Sequence, residues 1–142
     1  LFQSAFCKPS RPPNPGKQGE RLATRFLRKQ GYRIVATNLD EGFGEIDIVA
    51  VDRRVLVFVE VKTWMRPADG SPAQAVDLDK QKRMTRAALA YMKRHHLLQS
   101  AARFDVVAVV LNPITADAKR STPSIQHFVN AFEAVGKFQL YS

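Results

Sequence analysis

A single cysteine in 142 residues, Cys7, excludes an internal disulfide and any zinc site built on several thiolates. No apolar run approaches the length of a membrane span, and no secretory pattern opens the residues given, so a cytoplasmic chain without a membrane partner is expected. Neither a repeat nor a linker divides the sequence, and its length suits one domain with one core. Histidine is scarce too. His95 and His96 have no further histidine or cysteine at ligand spacing and suit the end of a helix rather than a metal. Acids are in deficit: 13 Asp and Glu against 22 Lys and Arg give a net charge of +9 and a pI of about 10.1. Such an excess calls for a polyanionic partner, a nucleic acid or an anionic surface.

The signs of charge are segregated. Residues 1–33 carry eight Lys or Arg against Glu20 alone, and residues 77–94 carry six against Asp77 and Asp79. Residues 40–60 reverse the balance, with six acids against Arg53 and Arg54. A merely solvated surface mixes its signs more evenly. Acids between basic segments suit metal-assisted chemistry on a phosphodiester, the acids for the ion and the bases for the backbone.

Residues 1–13 hold three prolines and no period, and read as a mobile basic arm before a single domain at 14–142. Cys7 lies in that arm without an adjacent base, a poor nucleophile. Asn14 and Pro15 start a helix that runs to about Gln30 and stops at Gly31. Leu22, Ala23, Phe26 and Leu27 form its apolar stripe; Arg21, Arg25, Arg28 and Lys29 face solvent. Residues 32–38 alternate as a first strand, followed by a loop over 40–44. After residue 62 a loop is expected to Gly70, with Ser71 and Pro72 opening a short helical turn; Trp64 there stacks on a base or packs at the sheet end. Asp77 or Asp79 caps a second helix to about His95, with Met84, Ala87, Ala88, Tyr91 and Met92 inward. Lys80, Lys82, Arg83 and Arg86 crowd its first half, either gripping phosphates or forming an ordinary solvated face. Residues 103–111 make a buried strand in which Asp105 needs a partner, Arg103 or a helix N-terminus. A polar loop over 112–124 precedes a last strand, 125–132, passing into a helical turn.

The remaining stretch, 43–64, reads as a β-hairpin of Val, Ile and Phe that carries Glu45, Asp47, Glu60 and Lys62 within its strands. With Arg53 and Arg54 as a two-residue turn, the residue numbers of each opposed pair sum to 107. Asp47 then faces Glu60 and Glu45 faces Lys62, all on one face, with Val49, Val51, Leu56 and Phe58 continuing it. Ile46, Ile48 and Ala50 fall on the other face with Val57, Val59 and Val61. Two carboxylates side by side in a partly dry place repel unless a proton or a cation intervenes. Mg²⁺, which accepts one or two carboxylates and keeps several waters, is a natural solution, with Lys62 near enough to orient a water or neutralise a phosphate. The plainer reading is a solvated Glu45–Lys62 salt bridge.

GEID (44–47) and FVEVK (58–62) resemble the motif of the PD-(D/E)xK nuclease superfamily. Together with GKQGERLATRFLRKQGYRIVATN (16–38), AVDLDKQKRMTRAALAYM (76–92), RFDVVAV (103–109) and IQHFVNAF (125–132), they resemble the bacterial YraN-like uncharacterised family over most of 16–132. The resemblance implies an α/β domain of the restriction-endonuclease-like kind, a central mixed sheet with helices on both faces. It further implies Mg²⁺- or Mn²⁺-dependent hydrolysis of phosphodiester bonds, in structured or branched DNA, or a nucleic-acid-binding module that keeps the fold without catalysis. Asp47 and Glu60 would hold metal, Lys62 would position the attacking water, and Glu20 and Gln81 would assist. For Glu20 a second reading stays open, a carboxylate suited to the first turns of its helix. Lys80, Lys82, Arg83 and Arg86, with Arg21 and Arg25, would meet nucleic acid. Resolvase-like relatives are dimers, which leaves a homodimer open, although no stripe marks an interface. The motif's proline is replaced by Ile46, the Tyr that follows a helix Gln in RecB-like nucleases is replaced by Thr85, and Asp40 and Glu41 stand where basic residues are common.

Overall fold

The computed structural model describes residues 14–67, 76–112 and 122–136. The arm at 1–13 with Cys7, the turn at Ser71 and Pro72, and most of the 112–124 loop lie outside them. Two helices and five strands follow in the order α1 (Pro15–Lys29), β1 (Arg33–Asp40), β2 (Glu45–Asp52), β3 (Val55–Trp64), α2 (Leu78–Arg94), β4 (Ala102–Val110) and β5 (Ser124–Phe132). Among the described residues no helix is long and apolar enough to cross a membrane.

Local chemistry sets the helix ends. The Asn14 side chain accepts the Gly16 N–H at 3.0 Å with Pro15 in the first turn, and Gly31 follows the last turn at φ 93°. Asp77, rather than Asp79, caps α2 by accepting the Lys80 N–H at 2.8 Å, and His95 closes the helix.

The strands form one mixed sheet in the order β1-β2-β3-β4-β5. Neighbours are antiparallel except β3 and β4, which run parallel from Leu56 beside Ala102 to Trp64 beside Val110. A parallel pair needs a crossover, and the connection between these strands carries α2. The described residues form an α/β domain in which two helices accompany the sheet. The strands exceed their expected bounds: β1 continues to Asp40, and β3 runs through Thr63 and Trp64, expected as loop. β5 stays extended to Phe132 without the expected helical turn, because the chain there remains in the ladder, Phe132 opposite Phe104, with their rings stacked 4.8 Å apart.

Apolar side chains divide into two clusters. Met84, Ala87, Ala88, Tyr91 and Met92 of α2 pack with Val49, Leu56, Phe58 and Phe104. Ala23 and Leu27 of α1 pack with Ile48, Ala50, Val57, Val59, Val107 and Val109. Alternation along β3 sends Leu56 and Phe58 to the first and Val57 and Val59 to the second. Burial of these side chains is the main term holding the fold. Gly19 lets α1 lie close on the end of β3: a Cβ there would come within 1.9 Å of the Thr63 hydroxyl.

Candidate functional site

Five hairpin pairs, from Asp52 with Val55 to Ile48 with Val59, have the expected register, with Arg53 of the turn at φ 58°. The ladder stops there. In place of a further backbone pair, Asp47 Oδ2 accepts the Val61 N–H at 2.7 Å. Beyond this point β2 stays paired with β1 as far as Glu45 opposite Asp40, and β3 with β4 as far as Trp64. The two strands therefore part, and Asp47 and Glu60 stand where the wedge opens.

Strict alternation fails at the same level. Ile46, expected beside Ile48, lies in the α2 cluster, whereas Ile48 lies in the α1 cluster. On β1, Asn38 is left-handed at φ 51° between Thr37 and Leu39, the partners of Ile48 and Ile46. The break thus falls on both strands opposite Asp47, which explains the change of face.

Glu60 is 5% exposed and lies between two ammonium groups, Lys62 Nζ at 3.2 Å from Oε1 and Lys80 Nζ at 3.1 Å from Oε2. Lys80 also donates to the Glu45 carbonyl at 3.3 Å, so it turns towards the site rather than a solvated helix face. Lys62 joins Glu60 on its own strand, and among the described residues Glu45 makes no ion pair with it, contrary to the plainer expectation. Glu60 Oε2 is buried, and among the described residues the Lys80 ammonium is what meets it. The Asp47 carboxyl is pushed up to about 7 by burial and then by the Glu60 charge, with Glu20 adding to the rise; the Val61 N–H and Lys80 act against it.

Glu20 is partly buried on α1 and lines, with Asp47 and Glu45, a groove of about 990 Å³. Arg21 and Arg25, both exposed, line it as well. The donor of Gln81 is engaged elsewhere: its Nε2 donates to the Val76 carbonyl at 2.9 Å, fastening the chain before α2. Lys82, Arg83 and Arg86 are exposed on α2, with Arg83 lying against Gly44 and Arg86 on a separate apolar groove. Trp64 is partly buried at the end of β3 beside Val110.

Among the described residues no three Asp, Glu, His or Cys side chains gather closely enough to hold an ion by themselves. Two carboxylates, both largely withdrawn from water, still fit a hard cation that keeps most of its water.

The model of a family described as "Uncharacterised protein family UPF0102" matches residues 19–109. The chain belongs to this family. It is 48% identical over 122 residues to a UPF0102 protein of Pelobacter propionicus, covering 84% of this chain and 83% of that one. A UPF0102 protein of Chlorobium phaeobacteroides is 41% identical over 121 residues, covering 85% and 95%, and one of Geobacter sulfurreducens is 44% identical over 118, covering 83% and 88%. The UPF0102 match includes Glu20, Asp47, Glu60, Lys62 and Lys80.

Elsewhere in this UPF0102 chain, the sequence hinted at only part of a second polar cluster. Asp105 is fully buried in β4 and accepts from Arg103 Nε at 3.0 Å and the Asn130 N–H at 2.9 Å, with His127 Nε2 at 2.8 Å. Arg103 also reaches Asp52 at 3.3 Å and the Tyr32 hydroxyl at 2.9 Å. Burial raises the Asp105 carboxyl, but the hydrogen bonds from His127, Arg103 and Asn130 outweigh it and hold it below the usual range. Each of these side chains is engaged by another, so the cluster ties β4 to β5 and to the ends of β1 and β2. Arg103 was legible as a partner; His127 was not, since only the β4–β5 register brings it near.

Proposed function

We propose that this UPF0102 protein is a metal-dependent nuclease-like protein of the PD-(D/E)xK superfamily, hydrolysing phosphodiester bonds in structured or branched DNA on a restriction-endonuclease-like fold. The observation that carries this is the wedge between β2 and β3, where Asp47 caps the Val61 N–H one residue from the Glu60–Lys62 ion pair and itself opens onto a groove lined by Glu20, Arg21 and Arg25.

Asp47 and Glu60 would hold Mg²⁺ or Mn²⁺, which would supply polarisation of the scissile phosphate and charge neutralisation. Lys62, whose ammonium lies 3.2 Å from the Glu60 carboxylate, would orient the attacking water. Glu20 shares the groove and influences Asp47. Arg21 and Arg25 supply backbone contacts that carry no sequence information, which suits a substrate recognised by shape.

A second reading, a nucleic-acid-binding module without catalysis, draws on Lys62 and Lys80, which together neutralise Glu60 without an ion. Both readings expect salt-dependent binding, and only the first expects cleavage. The deciding assay incubates the protein with Mg²⁺ or Mn²⁺ and linear, flapped and four-way-junction DNA, with RNA counterparts alongside. Cleavage abolished by Asp47→Asn and by Lys62→Ala supports the enzyme. Binding without cleavage of any substrate leaves the binding module.

A further inference from the structure

The loop between β1 and β2 is fastened to α2 at two points. Glu41 pairs with Arg94 of α2, and Gly44, at φ 139°, lies so close to Arg83 that a Cβ would come within 3.1 Å of the Arg83 Cβ. Between these anchors Phe43 remains 49% exposed. It lines an apolar groove of about 590 Å³ with Leu89, Ala90 and Leu98, and Arg86 and Lys93 complete the lining. Arg86, Leu89, Ala90 and Lys93 recur at helical spacing along one stripe of α2, distinct from its inward face of Met84, Ala88 and Met92.

Holding a phenyl ring in water against a helix forgoes the stability its burial would bring. The surroundings indicate what covers it. An apolar peptide face would gain nothing from two flanking cations, whereas a nucleobase has a flat apolar face and brings phosphates on either side. Phe43 also lies only four residues before Asp47 in the chain, on the strand entry that leads into the wedge.

We infer that this groove is a subsite for an unpaired nucleotide, with a base stacked on Phe43 and its neighbouring phosphates on Arg86 and Lys93. Because bases inside a duplex are already stacked, the subsite selects single-stranded segments such as a flap or a splayed junction arm. The inference rests on the nucleic-acid partner of the proposed function and adds the element that distinguishes unpaired from paired substrate.

The test needs no metal and no turnover. Binding of a fluorescent oligothymidylate and of a duplex of equal length is measured for the wild type and for Phe43→Ala, Phe43→Tyr and Phe43→Trp. Phe43→Ala should weaken single-strand binding by about 5- to 100-fold, the range of one lost base–aromatic stack, while leaving duplex binding unchanged. The Tyr and Trp variants should retain the affinity, and oligothymidylate should quench the introduced indole. Replacing Arg86 and Lys93 with Ala should lower the salt slope of single-strand binding. Equal single-strand affinity for wild type and Phe43→Ala, with the fold intact by circular dichroism, overturns the subsite while leaving the proposed function standing. A wild type that binds no nucleic acid at all overturns both. If sedimentation instead shows Phe43→Ala turning a dimer into a monomer with single-strand binding unaltered, the groove is a contact between copies and the subsite is wrong.

Discussion

Asp47 performs two tasks that pull in opposite directions. As an acceptor for the Val61 N–H it ends the hairpin ladder; as a charge beside Glu60 it is poorly tolerated. Its carboxyl, at about 7 in the folded protein against an ordinary 3.8, holds a proton more tightly folded than unfolded. Stability contributed by that proton is complete below about pH 4 and declines as the pH rises towards 7. Asp47→Asn removes the decline, so the metal-free variant should be more stable than wild type at pH 8, by on the order of 1–3 kcal/mol, and nearly equal to it at pH 4. Thermal melts at both pH values check this. The same melts with millimolar-range Mg²⁺ should raise the wild-type midpoint and leave Asp47→Asn almost unmoved; an unresponsive wild type speaks against the ion. Asp105 has the opposite sign. Its lowered carboxyl contributes stability that is present above the ordinary value of 3.8 and lost as the pH falls through the folded value. Asp105→Ala also takes from the partly buried Arg103 its closest counter-charge, leaving Asp52, and removes the acceptor of the Asn130 N–H, and should cost roughly 3 kcal/mol in a denaturant titration. A loss below about 1 kcal/mol would show that water replaces the carboxylate readily.

At the scale of elements, the position of α1 depends on one missing methyl group. Gly19→Ala would place its Cβ within 1.9 Å of Thr63 Oγ1 and 2.9 Å of Thr63 Cβ. Rotation of the threonine clears the hydroxyl but not its Cβ, so the helix must lift from the end of β3, taking Glu20 with it. A loss of about 1–3 kcal/mol is expected, with partial recovery in a Gly19→Ala, Thr63→Ala double variant. Single and double variants that simply add would place the strain elsewhere. What was legible at this scale was what is local. The caps at Asn14 and Asp77, the apolar stripes of both helices and the register of the hairpin follow from residue type and parity. The wedge was not legible, because a side chain, Asp47, replaces a backbone group there, and a period-of-two argument carries Ile46 onward with Ile48. For the same reason β5 read as turning helical: its pairing with β4 and the Asn130 bond to Asp105 are contacts across the sheet. Residue type alone makes Lys80 part of a basic helix start, yet β2 and β3 bring the Glu45 carbonyl and the Glu60 carboxylate to it.

For the whole molecule, the question is whether an excess of +9 acts as a diffuse cloud or through a placed groove. Arg21 and Arg25 line the groove at Asp47, whereas Arg53 and Arg54 form the turn at the other end of the same strands. Six residues of extended chain separate Asp47 from Arg53, roughly 20 Å at about 3.3 Å per residue, beyond a Debye length in physiological salt. Two double variants, Arg21→Ala with Arg25→Ala and Arg53→Ala with Arg54→Ala, remove the same charge from these two places. Each phosphate neutralised contributes about 0.9 to the slope of log affinity against log salt on duplex DNA. The groove variant should therefore lose close to 2 from that slope, with little dependence on sequence, while the turn variant keeps the wild-type value. Equal losses would mean that net charge alone draws the partner, and the groove would then have no claim on the nucleic acid.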